Sequence, residues 1–259
     1  MNMKIVKALM ICMVISIIMT GIAFASTVSN IYYTPEINGY EYYFTSEVWD
    51  RYYSPTLASA EGVASIRCID RSAPTGYMGG HGRLFTSTGT LWCSGLITYN
   101  TAAVSNHYNY SPRTYIAGLY YAQSRAFFYN GDGYDAYTGY TSPILTLIST
   151  PSSSYDSIIN SAERVLDEIC SRTSYEKNEN GETYGSALSA ETIGVEPDLI
   201  AAIGTNGVEG YVRSSDFATG VMSPEEAIVY MDNLSDSISI PLYDVNGSTV
   251  LGEFVLKAK

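Results

Sequence analysis

The chain has 259 residues, 46% of them hydrophobic, and a formal net charge of −12. That apolar content is ordinary for a globular chain and suffices for a sizeable core. The acid excess argues against a nucleic-acid partner, since phosphate binding needs a basic face.

Residues 1–25 have the order of a secretory signal. Lys4 and Lys7 form a positive head, residues 8–19 are apolar text interrupted only by Ser16, and Ala23-Phe24-Ala25 is a small-x-small site before Ser26. Cleavage is therefore expected between Ala25 and Ser26. No cysteine stands at the first mature position and no second long apolar run follows, so a secreted product free of the membrane after cleavage is expected.

The 234 residues that remain are lopsided. Residues 26–150 hold 6 Arg, 8 acids and 18 of the 24 Tyr, and no Lys; residues 151–259 hold 6 basic and 18 acidic residues. The contrast predicts an all-β, Tyr-rich, sandwich-like domain over 26–150. A linker and amphipathic helix over 151–176 and a small acidic α+β module over 177–259 follow. Tyrosine is a strand former with an apolar body and a polar rim, so most of these rings should pack the sheets. Exposed ones could stack on sugars.

In chain order, residues 40–44 and 64–70 read as strands. Residues 82–100 read as a hairpin turning at Ser87-Thr88-Gly89-Thr90. Residues 113–121 and 125–129 are β-rich, Asn130-Gly131-Asp132-Gly133 is a turn, and 134–141 alternate. Residues 155–172 place Ile158, Ile159, Ala162, Val165, Leu166, Ile169 and Cys170 on one helical stripe. Residues 197–203 fit a short helix stopped by Gly204, with Glu196 and Asp198 as helix-start acids. Residues 208–213 fit a strand. Ser223-Pro224-Glu225-Glu226 is a strong helix start with a capping box. Residues 238–242 and 250–256 make a hairpin whose Asn246-Gly247 suggests a type I′ turn.

The last stretch resembles a short module of unknown function that recurs in exported or membrane-linked proteins of Gram-positive bacteria. The likeness covers residues 183–256. It rests on Thr183-Tyr184-Gly185-Ser186-Ala187, Glu196-Pro197-Asp198-Leu199-Ile200, Gly210-Tyr211-Val212, Ser223-Pro224-Glu225-Glu226-Ala227 and Ile240-Pro241-Leu242-Tyr243-Asp244. The text near Gly76-Tyr77-Met78-Gly79 and residues 130–134 looks like other uncharacterised secreted β proteins. The resemblance implies an exported Gram-positive protein and transfers no catalytic residue.

The mature cysteines are Cys68, Cys93 and Cys170. A Cys68–Cys93 bridge in an oxidising compartment would close a loop of about 25 residues and stabilise by roughly 3 kcal/mol. The alternative is three buried free thiols. With no CxxC and only His81 and His107, neither a metal nor another cofactor is expected. His81, in Gly79-Gly80-His81-Gly82, could be an accessible base. A small hydrolase would pair it with Cys93 or a serine, yet there is no G-x-S-x-G. Asp132 and Asp135 could form a carboxylate pair, although turn chemistry explains them as well. His107 reads as a loop residue.

The favoured function is a non-enzymatic binding or interaction protein, outside the cell or at the wall, with a cell-wall glycan or an extracellular protein as partner. A bacteriocin-like antagonism factor and a small secreted hydrolase are the alternatives.

Overall fold

The computed structural model describes residues 26–54, 57–147 and 155–258. The signal-like residues 1–25, with the cleavage expected after Ala25, and the start of the expected linker lie outside them. Strand text dominates, with 45% of residues in strands and 16% in helices. Up to residue 147 the strands are β1 (Thr27–Val28), β2 (Tyr32–Tyr33), β3 (Tyr42–Ser54), β4 (Leu57–Cys68), β5 (Met78–His81), β6 (Arg83–Thr86), β7 (Leu91–Gly95), β8 (Thr98–Tyr99), β9 (Asn106–Tyr110), β10 (Gly118–Ala122), β11 (Arg125–Tyr129), β12 (Tyr134–Thr138) and β13 (Leu145–Leu147). Helix α1 (Tyr155–Cys170) follows. After it come β14 (Glu176–Lys177), β15 (Thr183–Gly185), α2 (Ala190–Ile193), β16 (Leu199–Ile203), β17 (Glu209–Arg213), α3 (Pro224–Asp232), β18 (Ser237–Tyr243) and β19 (Val250–Lys257).

Three sheets organise the described residues. The first runs β1-β3-β4-β9 with β2 also on β3, and a smaller one runs β12-β11-β5-β8. The third has ten strands in the order β13-β10-β6-β7-β19-β18-β17-β16-β15-β14. Strands from both sides of residue 150 therefore share one hydrogen-bonded ladder. Strand β7 is the junction. It pairs in parallel with β19 through Leu256↔Ser94 and with β16 through Ala202↔Leu91, which closes β7, β19, β18, β17 and β16 into a ring.

Burial explains the arrangement. One cluster fills the ring with Leu91, Ile200, Ala202, Val212, Ile240, Leu242, Phe254 and Leu256, and Phe85, Tyr121 and Ile169 extend it. Helix α1 lays the C-terminal part of its stripe here, with Ile169 buried and Val165 and Leu166 packed alongside, while Ile158 at its start is 49% exposed. A second cluster joins Tyr42, Phe44 and Ile66 of the first sheet to Met78, Ala126 and Phe128 of the small sheet. Tyr42 stacks on Phe128 at 4.2 Å between ring centres. Each large ring buried this way contributes about 1.5–3 kcal/mol.

Where β4, β6, β7 and β9 cross, their backbones nearly touch. A Cβ on Gly62 would lie 2.3 Å from the Arg83 carbonyl oxygen, and one on Gly95 would lie 2.2 Å from that of Tyr110. Only glycine permits this approach. The backbone groups there are satisfied locally: Ser111 N donates to Gly62 O at 2.7 Å and Gly95 N to Gly82 O at 3.0 Å.

The hairpin expected over 82–100 forms, with Leu84 opposite Cys93. Residues 197–203 are not helical. Residues 199–203 form strand β16 instead, because so short an apolar run has no period that separates strand from helix. The loop at Asn246-Gly247 is not type I′, since only Gly247 has positive φ. Instead the Asp244 carboxylate accepts from Ser248 N and Thr249 N. At α3, Ser223 Oγ caps Glu226 N at 3.2 Å, while the Glu226 carboxylate reaches back to Met222 N rather than to Ser223.

Candidate functional site

Two places gather functional side chains: a buried polar centre between the sheets, and an aromatic face on the outside of the first sheet.

The buried centre forms where β5, β6, β7 and β11 meet. His81 ends β5 opposite Arg125 of β11, so it lies inside the small sheet and not at an edge or turn. Its Nε2 lies 2.7 Å from Ser94 Oγ, and its exposure is 1%. Ser94 Oγ donates to Gly95 O at 3.1 Å. Either atom can be the donor in the His81–Ser94 contact. His81 Nδ1 has no hydrogen-bond partner among the described residues. Burial, then the charges of Arg83 and Arg125, hold the His81 pKa well below the ordinary histidine value.

Beside it lies a charged trio. Arg83, 0% exposed, meets Glu196 Oε1 at 2.6 Å, and Arg125 Nη1 meets Oε2 at 3.4 Å. Burial would raise the Glu196 carboxyl, but the two guanidinium groups hold it below its usual value. Glu196 is thus the counter-ion of two strand arginines and not a helix-start acid. Nothing near it in the sequence signals partners more than 70 positions away. Asp198 likewise starts no helix; its carboxylate accepts from Thr183 N and Oγ1.

The other expected candidates separate. Asp132 and Asp135 sit at the β11–β12 turn, where Asn130 Nδ2 donates to Asp135 Oδ1 at 2.7 Å and Asp132 N to Asn130 Oδ1 at 2.9 Å. Asp135 lies opposite Phe128 and His81 opposite Arg125, three residues apart along β11. That is about 10 Å of strand. His107 is on β9 rather than in a loop, and its Nε2 bonds Thr98 O at 2.9 Å. Cys68, Cys93 and Cys170 are all free. Cys68 and Cys93, expected as a bridge, pack against different core clusters. Burial pushes the Cys93 thiol up to about 12, so it is not a ready nucleophile.

The aromatic face follows from strand alternation. On β3 the even positions Tyr42, Phe44, Ser46 and Val48 are buried, so Tyr43, Glu47, Trp49 and Arg51 point outward. Register places Tyr33 beside Tyr43, Arg67 opposite Tyr43, and Tyr108 and Tyr110 beside Ser65 and Val63. The small β4 residues leave room for rings to lie across them. Trp49 meets Tyr110 edge-on at 5.6 Å, and Tyr108 stacks with Tyr110 at 6.4 Å. Tyr33, 63% exposed, packs 5.7 Å from Tyr43. Arg51 and Arg67 sit over Trp49 and Tyr108. Glu47 accepts from Trp49 Nε1 at 2.6 Å and from Thr45 Oγ1 at 2.8 Å, which fixes the indole. Beneath, Glu61 is fully buried and takes Arg51 at 2.7 Å and Arg113 at 3.0 Å. The result is a row of half-buried rings bordered by fixed charges, chemistry suited to sugar rings and their hydroxyls.

Comparisons with protein-family models, with curated proteins and with solved structures find no match for this chain.

Proposed function

We propose that this chain is an exported, non-enzymatic binding protein that holds a cell-wall glycan on the outer face of its first sheet, outside a Gram-positive cell. In this reading the Tyr-rich first half is a sandwich that carries the ligand, and the acidic second half is a small α+β module braced against it. The signal-like residues 1–25 supply the export argument, and the resemblance over residues 183–256 supplies the bacterial setting. The observation that carries the proposal is the row Trp49, Tyr110 and Tyr108 across the outer face of the first sheet, with Arg51, Arg67 and Glu47 around it. Apolar ring faces stack on the CH faces of a sugar while the charged rim bonds its hydroxyls. His81 and Ser94 support a structural role in this reading, being 1% and 0% exposed.

Retention of the full mature chain on purified cell wall tests the proposal. Trp49→Ala and Tyr110→Ala, checked for folding by circular dichroism, should each weaken retention by about thirtyfold, the loss of a central aromatic anchor. Retention equal to the parent in both folded variants, or no retention of the parent, contradicts it.

A further inference from the structure

We infer that the cleft between the small β12-β11-β5-β8 sheet and the second half is a separate binding site for a small amphipathic carboxylate, gripped by Arg125. The cleft holds about 570 Å³, within the size range of small-molecule sites. Its walls include Ile97, Phe127, Val195, Phe217 and Met222, and hydroxyls from Ser215, Thr219 and neighbouring residues reach into it.

The charge arithmetic at its floor is uneven. Arg83 and Arg125 share the single carboxylate of Glu196, and the shorter contact goes to Arg83. Arg125 Nε is buried without a hydrogen-bond partner among the described residues, and its side chain remains 22% exposed in the cleft. His81, held neutral, adds no further positive charge. Asp216, on the turn lining the cleft, makes no ion pair with either arginine: burial raises its pKa, and its Oδ2 has no hydrogen-bond partner among the described residues. Within the trio of Arg83, Arg125 and Glu196 one positive charge is left over at the base of an apolar cleft, in a chain whose net charge is −12. Arg125 lies over the Phe127 ring at 5.1 Å, which fixes the plane of its fork. A planar guanidinium with free donors matches a carboxylate, and the apolar walls match an aromatic or aliphatic tail.

The experiment titrates the full mature chain at pH 7 with 4-phenylbutyrate and with its neutral amide, followed by amide NMR shifts. The acid should shift Val195, Ser215 and Thr219 and bind at least about tenfold tighter than the amide. Arg125→Gln should bring the acid down to the amide's affinity. Val195→Trp, at a rim position 64% exposed, leaves the arginine cluster intact and should weaken both ligands. The inference is overturned by equal affinity for acid and amide, by no binding of the acid, or by acid binding that survives Arg125→Gln. Shifts confined to the Trp49 face also overturn it. If Arg125→Gln does not fold, acid binding unchanged in Val195→Trp overturns it.

Discussion

His81 is neutral in the fold because burial and two neighbouring arginines penalise its charge, and burial lowers His107 as well. A depressed histidine binds its proton in the unfolded chain first. Its stabilising effect is therefore complete above the unfolded value of about 6.5 and is lost as pH falls from there toward the folded value. Each histidine contributes a slope of up to about 1.4 kcal/mol per pH unit in that window. Urea unfolding should show stability falling between pH 6.5 and 5.5, and His107→Gln should flatten the fall. A flat profile for the parent would show that neither ring is buried uncharged. Asp216, raised by burial, works in the opposite sense and only below its own folded value. Glu196 shows what single-residue reading misses: its partners Arg83 and Arg125 stand in distant strands, and only the fold puts three charges in one pocket.

At the scale of elements, the crossing of β4, β6, β7 and β9 depends on bare backbone. Gly62→Ala would drive a methyl into the Arg83 carbonyl, with backbone rather than a flexible side chain as the obstacle. The expected result is a loss of several kcal/mol, about 4 or more, or failure to fold. A denaturation midpoint close to the parent's would refute the crossing. The hairpin of β6 and β7, the α1 stripe and the Ser223 cap were legible because turn residues, helical spacing and capping chemistry are local signals. Strand β16 was not, since Leu199–Ile203 is a short apolar run that carries no period. The aromatic face was half legible. Tyrosine content announced exposed rings, but the Trp49–Tyr110 contact needs the β3, β4 and β9 registers, which no local pattern fixes.

For the whole molecule, β7 ties the two compositional halves together by pairing with both β16 and β19. One core cluster contains residues from Phe85 to Leu256. Tryptophan emission and far-UV circular dichroism should therefore report a single, coincident urea transition. Two separated transitions would mean that the halves fold independently. The central claim is that the outer aromatic face takes a glycan, and the two tryptophans allow a direct reading. In Trp92→Phe the remaining emission comes from Trp49 alone. Soluble peptidoglycan fragments should shift and saturate that emission, and Tyr110→Ala should abolish the response. An emission spectrum unmoved by saturating fragments, with the folded state intact, would contradict the account.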